Sequence, residues 1–284
     1  MKVLVLGASG MLGNAIVRVL GKQQWWQVFG TLRSDGGRRH FSPAENERLI
    51  SGVDVEQFDS LVMVLARVRP DVVVNCIGLV KQLADAKDPL LALPINALLP
   101  HRLERLCELA KSRLVHISTD CVFSGQRGGY TESDLPDAGD LYGRSKLLGE
   151  VSGSCAITLR TSIIGHELES RHALISWFLA QEGRCLGHCK AVFSGFPTVV
   201  LAEIIRDIII PRGDLAGVFH VAAAPISKFD LLRLVAQVYG KQIEIVPDDT
   251  VVIDRSLDAG RFNRMTGYVA PRWPEMIAKM HAFR

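Results

Sequence analysis

The sequence predicts a doubly wound α/β protein: a parallel sheet with helices on both faces, and a smaller lobe toward the carboxyl terminus. Three observations predict it. Short apolar, β-favouring runs alternate with helix-spaced segments through the first 160 residues, a glycine-rich turn joins the first run to the first helix, and the regularity loosens after Arg160.

The runs Val3 to Leu6, Val28 to Thr31, Val72 to Ile77, Leu114 to Ile117 and Ala156 to Leu159 show no polar alternation. Strands of that kind are buried on both faces, as in parallel sheets. Between them, Leu12, Ile16, Val19 and Leu20, then Leu99, Leu103, Leu106 and Ala110, recur at helical spacing, so each helix lays one apolar stripe on the sheet. Beyond Arg160, helices are expected near 172–181, 199–210 and 228–239, with short strands at Val218 to Val221 and Ile243 to Val246. The helix at 228 has its own start signal, Ser227 as N-cap with Asp230 three residues later.

Size and charge narrow the function classes. With 284 residues, 48% of them hydrophobic, the chain can bury a large core. A formal net charge of +3 from 33 basic and 30 acidic residues, spread along the chain, gives no footprint for nucleic acid. The apolar stretch around Ile204 to Ile210 is broken by Arg206 and Asp207 and is too short to span a membrane. The first residues read as a strand and not as a signal segment, so a cytoplasmic location is expected. The six cysteines then read as free thiols, and Cys185, His188 and Cys189 lack the further ligands a zinc site requires, so no metal is expected.

Gly7-Ala8-Ser9-Gly10-Met11-Leu12-Gly13 lies between the first strand and the first helix, the context of a Rossmann dinucleotide site. Glycines there permit a tight turn and close approach of backbone to a pyrophosphate, which the helix N-terminus attracts. About 20 residues on, Thr31-Leu32-Arg33-Ser34 stands where the adenosine ribose is read. A guanidinium flanked by hydroxyls suits a 2′-phosphate, which favours NADP; Asp35, one step later, keeps NAD open.

Tyr142 and Lys146 are four residues apart and share one helix face. Thr119 ends the strand Leu114 to Ile117, at the carboxyl edge where ligands of parallel sheets bind. A ketone that accepts hydride develops an alkoxide. Tyr142 can protonate it, Lys146 can lower the phenol's pKa and hold the nicotinamide ribose, and Thr119 can hydrogen-bond the carbonyl oxygen.

With LVHISTDCVFSG (114–125), Tyr130-Thr131-Glu132, LYGRSKLLGE (141–150) and LRTSIIG (159–165), the chain resembles the dTDP-4-dehydrorhamnose reductases, an extended branch of the short-chain dehydrogenase/reductase superfamily. The resemblance implies NADPH-dependent reduction of a keto group on a nucleotide-activated deoxy-sugar. It implies residues 1–160 as the NADP-binding and catalytic domain and 161–284 as mainly the substrate lobe, with some segments returning to the sheet. Besides the glycine turn (Gly7, Ser9, Gly10, Met11, Leu12, Gly13) and Thr31, Arg33 and Ser34, it places Asp54 and Val55 near the adenine and Asn75, Cys76, Ile77 and Gly78 along the cofactor. Asn96 is placed on the supporting helix. Ser118, Tyr142, Lys146, Thr161 and Ser162 complete the cofactor set. Lys81, Asp120, Cys121, Ser194 and Arg255 face the substrate, with Arg255 on its diphosphate.

Two departures stand out. Cys121 replaces the family's aromatic residue, and Gly78-Leu79-Val80-Lys81-Gln82 replaces an Ala-Tyr-Thr-like stretch. Cys121 also stands where related dehydratases carry a glutamate, which argues against elimination of water. An NAD-dependent epimerase and a non-catalytic regulatory subunit that keeps the cofactor remain as alternatives. So does a homodimer as the assembly.

Overall fold

The computed structural model describes residues 1–79, 87–169 and 173–283. The chain forms two compact units, one of 1–118, 139–159 and 202–218, the other of 119–138, 160–201 and 219–284.

A seven-stranded parallel sheet, most of whose residues fall in the first unit, carries the fold. Its strands are β1 (Lys2–Leu6), β2 (Gln27–Thr31), β3 (Leu49–Ile50), β4 (Val72–Asn75), β5 (Arg113–Thr119), β6 (Ala156–Thr161) and, numbered by its place in the whole chain, β11 (Gly217–His220). The order is β3-β2-β1-β4-β5-β6-β11. The order in which strands are added reverses between β1 and β4, and that is the switch point of a doubly wound fold, where ligands bind beyond the strand ends. Leu6 is level with Asn75, and Asn75 with His116, so these ends are aligned.

The expected strand Val72 to Ile77 stops two residues early, at Asn75. The reason is local. Asn75 Oδ1 accepts from Ile77 N at 3.1 Å, and this side-chain turn replaces strand geometry at Cys76 and Ile77. Helices α1 (Met11–Leu20), α2 (Pro43–Asn46), α3 (Phe58–Val68), α4 (Pro89–Ala92), α5 (Leu99–Ala110) and α6 (Leu141–Leu148) belong to this unit. The apolar faces of α3 and α5 meet Leu4, Leu6, Val73 and Leu114 in one buried cluster, so the sheet's centre is the core.

The second unit carries short strands and helices, among them β7 (Ile163–Ile164), α7 (Leu174–Ala180), β8 (Arg184–His188), β9 (Ala191–Phe193) and β10 (Phe196–Pro197). Helix α8 (Thr198–Ile204) leads back to the first unit. Then come β12 (Ile226–Ser227), α9 (Lys228–Tyr239), β13 (Glu244–Asp248), β14 (Ile253–Asp254), α10 (Gly260–Thr266) and α11 (Trp273–Ala282). β13 pairs with β8 in parallel, and β9 lies between β12 and β14. Helix α9 begins as expected: Ser227 Oγ accepts from Asp230 N at 3.0 Å, and Gly240 closes its far end with φ +65°. No helix of the described residues is long and apolar enough to cross a membrane.

Candidate active site

The glycine turn is shaped by contacts that leave no space for side chains. Gly7 has φ +80°, a left-handed conformation natural to glycine, and an added Cβ would stand 2.8 Å from Ile77. At Gly13, an added Cβ would collide with the Gly7 carbonyl, which fixes how closely α1 approaches β1. Gly10 caps α1 without a side-chain hydrogen bond, and no acidic residue occupies the first turn. The turn therefore offers backbone N–H groups and the positive end of the helix dipole, with Ser9 exposed beside them. That cradle fits a pyrophosphate.

Thr31, at the end of β2, is buried, and its Oγ1 accepts from Gly7 N at 3.2 Å. Its hydroxyl therefore braces the turn. Arg33 and Ser34 are exposed beyond it. Asp54 Oδ1 accepts from Glu56 N at 3.1 Å, and Val55 is buried.

The Tyr142/Lys146 helix, α6, starts at Asp140, whose side chain accepts from Gly143 N at 2.8 Å. Tyr142 is half-buried; Lys146 is 5% exposed. Lys146 Nζ donates to the Ile117 carbonyl at 2.7 Å, just before the end of β5. Burial pulls the Lys146 ammonium down to about 8, against the charge of Glu150, which works to hold it up. Ser118 Oγ donates to Glu150 Oε1 at 2.7 Å, fixing that carboxylate. Desolvation pushes the Cys76 thiol up to about 12, so it is a neutral neighbour of the lysine.

Asn96 organises the loop after β4. Its Oδ1 accepts from Leu79 N at 2.9 Å, and its Nδ2 donates to Leu79 O at 3.3 Å and to Ser145 Oγ at 3.2 Å on α6. Gly78 lies under this contact, where an added Cβ would be 3.3 Å from Asn96 Oδ1 and 3.7 Å from Lys146 Nζ. The structure thus brings Gly78, Ser118, Lys146 and Cys76 together within the first unit. Asn75, fully buried, bonds the His116 ring at 3.2 Å, and burial drives that imidazole well below its ordinary range and keeps it neutral.

In the second unit, Thr119 Oγ1 accepts from Cys121 N at 3.1 Å and donates to Asp120 Oδ1 at 3.2 Å. Asp120 is buried; desolvation raises its pKa, opposed by hydrogen bonds from Cys121, Thr119 and Ser162 and by the Arg255 charge. Arg255 Nε donates to Phe123 O at 2.8 Å, so the guanidinium is held beside this group. Ser194 is buried and its Oγ accepts from Leu257 N at 3.0 Å, which ties down the segment carrying Arg255. Thr161 Oγ1 donates to Ser162 O at 3.4 Å, an oxygen that also accepts from Phe196 N at 2.8 Å. Lys81 lies outside the described residues.

The sequence reading gave the segment at 227–239 only a helix with its start signal and missed Lys228. Its ammonium, pulled down by burial, lies in the electrostatic reach of Asp120, Arg255 and Cys121. A signal was present: a cation in the first turn of a helix opposes the dipole, so a lysine directly after an N-cap needs another reason. Glu150 was missed as well, although its spacing from Lys146 is i, i+4. Cys185, in β8, is buried, and His188 bonds Asp248 at 2.6 Å.

A seven-stranded doubly wound sheet, a glycine turn at its switch point and a buried lysine one helical turn from a tyrosine define an extended short-chain dehydrogenase/reductase. The family model described as the RmlD substrate binding domain matches residues 1–255, and the chain belongs to that family of NAD(P)-dependent oxidoreductases. A probable low-salt glycan biosynthesis reductase, Agl14, of Haloferax volcanii is 33% identical over 53% of this chain and 48% of its own length. The match thus spans about half of that relative. Methionine adenosyltransferase 2 subunit beta of Danio rerio is 27% identical over 84% of this chain and 74% of that protein. Among solved structures, the dTDP-4-dehydrorhamnose reductase of Bacillus anthracis in complex with NADP superposes with a TM-score of 0.80 at 20% identity, over 100% of this chain and 99% of that one. That likeness speaks for the fold.

Proposed function

We propose that the protein is an NADPH-dependent reductase of a keto group on a nucleotide-activated deoxy-sugar. The observation that carries this reading is Lys146, buried and aimed at the end of β5, on the same helix face as Tyr142 and beside Gly78. The glycine turn would hold the pyrophosphate, and Arg33 with Ser34 the 2′-phosphate. When bound, the nicotinamide supplies the hydride that adds to the carbonyl carbon. Tyr142 gives its phenolic proton to the carbonyl oxygen, Lys146 stabilises the phenolate left behind, and solvent restores the proton. Thr119 and the Asp120–Arg255–Lys228 group belong to the substrate, with the two cations toward its phosphates. A screen of nucleotide-linked keto-sugars for NADPH oxidation tests this. Tyr142→Phe should lower turnover by roughly 10²- to 10⁴-fold, and near-normal turnover would remove the role.

A second reading is favoured by the similarity to methionine adenosyltransferase 2 subunit beta, which spans more of the chain than the match to Agl14. In it, the protein keeps the cofactor and binds a catalytic partner. Co-purification with a methionine adenosyltransferase, without NADPH oxidation on any sugar nucleotide, would select that reading.

A further inference from the structure

The segment after β2 carries an acid, Asp35, in the region where dinucleotide sites choose between a free 2′-hydroxyl and a 2′-phosphate. This acid is not loose. Arg38 Nε donates to Asp35 Oδ1 at 2.9 Å and to Ser51 Oγ at 3.1 Å. The two other nitrogens of the same guanidinium donate to Asn46 O at 2.9 Å and Leu49 O at 3.0 Å. Ser51 and Arg38 both hydrogen-bond the Asp35 carboxylate, which is otherwise 81% exposed. Asn46 returns the contact, its Nδ2 donating to Arg38 O at 3.1 Å. The segment also lies on the glycine turn: an added Cβ at Gly37 would stand 3.3 Å from Ser9 Cβ and 3.2 Å from Leu32. Arg33 is exposed as well.

We propose that Arg38 is a specificity-determining positioning residue. By holding Asp35 against its own guanidinium and Ser51, it withdraws the acid from the ribose and leaves Arg33 to meet a 2′-phosphate. The inference rests on the reading of the glycine turn as a dinucleotide site. A released Asp35 would repel a 2′-phosphate and accept a hydrogen bond from a 2′-hydroxyl. Loss of Arg38 therefore changes preference between the cofactors instead of weakening both alike.

The test is direct titration of NADPH and NADH binding by nicotinamide fluorescence, on the full chain, for wild type, R38Q, D35N, S51A and R38Q/D35N. Wild type should prefer NADPH. R38Q should lower the NADPH-to-NADH affinity ratio roughly tenfold, equivalent to about 1.4 kcal/mol, and R38Q/D35N should restore it to within about threefold of wild type. Equal weakening of both cofactors in R38Q, with no recovery in the double variant, would overturn the inference. Should R38Q fail to fold, S51A removes one partner of Asp35 and one acceptor of Arg38 while keeping the guanidinium; a lowered ratio supports the inference and an unchanged ratio overturns it. A wild type that prefers NADH also overturns it. A wild type that binds neither nucleotide overturns the dinucleotide reading itself, which separates the two failures.

Discussion

Lys146 Nζ donates a 2.7 Å hydrogen bond to the carbonyl oxygen of Ile117, across from its own helix to the central sheet. The bond sets the ammonium at the carboxyl end of β5, in the region where an open α/β sheet binds its ligand. It also takes one of three donors, leaving two for the ribose and phenolate that the proposed function assigns to it.

Because burial pulls Lys146 down to about 8, its charge, on which the proposed role of Tyr142 rests, is lost at moderately alkaline pH. kcat/KM for NADPH, which reports the free enzyme, should fall on a basic limb centred near pH 8. The stability effect has the opposite slope. The folded chain binds fewer protons than the unfolded chain between about pH 8 and the ordinary lysine range, so Lys146 makes the apo protein more stable as pH rises through that window. Thermal unfolding against pH in wild type and Lys146→Met checks this; identical pH dependence in the two would remove it.

Glu150 raises the Lys146 pKa and is fixed by Ser118. Glu150→Gln should keep the hydrogen bond from Ser118 but lose the charge, so the basic limb moves to lower pH. A variant merely damaged in structure would lose rate at all pH values. The pH profile of kcat/KM distinguishes them.

Gly13→Ala would force a methyl group into the Gly7 carbonyl. Overpacking of this kind costs about 1–3 kcal/mol, and relief requires α1 to move away from β1. Differential scanning calorimetry should show a lower Tm, and titration should show loss of cofactor binding. Normal values for both would mean that the turn is more yielding than its geometry indicates.

Much of this was legible because it is encoded locally. The strands at Lys2–Leu6 and Gln27–Thr31 follow from short apolar, β-favouring runs, the turn from its glycines, and the Tyr142/Lys146 pair from the period of a helix. What escaped depends on distant partners. β3 is two residues long, Leu49 and Ile50, too short for any period, and it is a strand because β2 pairs with it. That Thr31 Oγ1 also accepts from Gly7 N, 24 residues away, depends on such a partner. Lys228 and Asp120 are more than a hundred residues apart, and no spacing rule links them.

Lys228 and Arg255 supply two cations to one buried carboxylate, Asp120, which leaves positive charge over for a phosphate. Lys228→Gln should raise KM for the sugar nucleotide by roughly tenfold, about the effect of one charged hydrogen bond, while NADPH affinity stays unchanged. Steady-state kinetics with the substrate varied, beside cofactor titration, decides; a change confined to NADPH would place the lysine elsewhere.

A stoichiometric measurement decides whether the protein is a reductase: NADPH consumed against alcohol formed when the purified protein is given nucleotide-linked keto-sugars, in wild type and in Tyr142→Phe. One alcohol per NADPH is expected in the wild type, and a turnover lower by roughly two orders of magnitude or more in a variant that still binds NADPH. NADPH bound but never oxidised, on any of these sugars, would contradict it and leave the regulatory reading in its place.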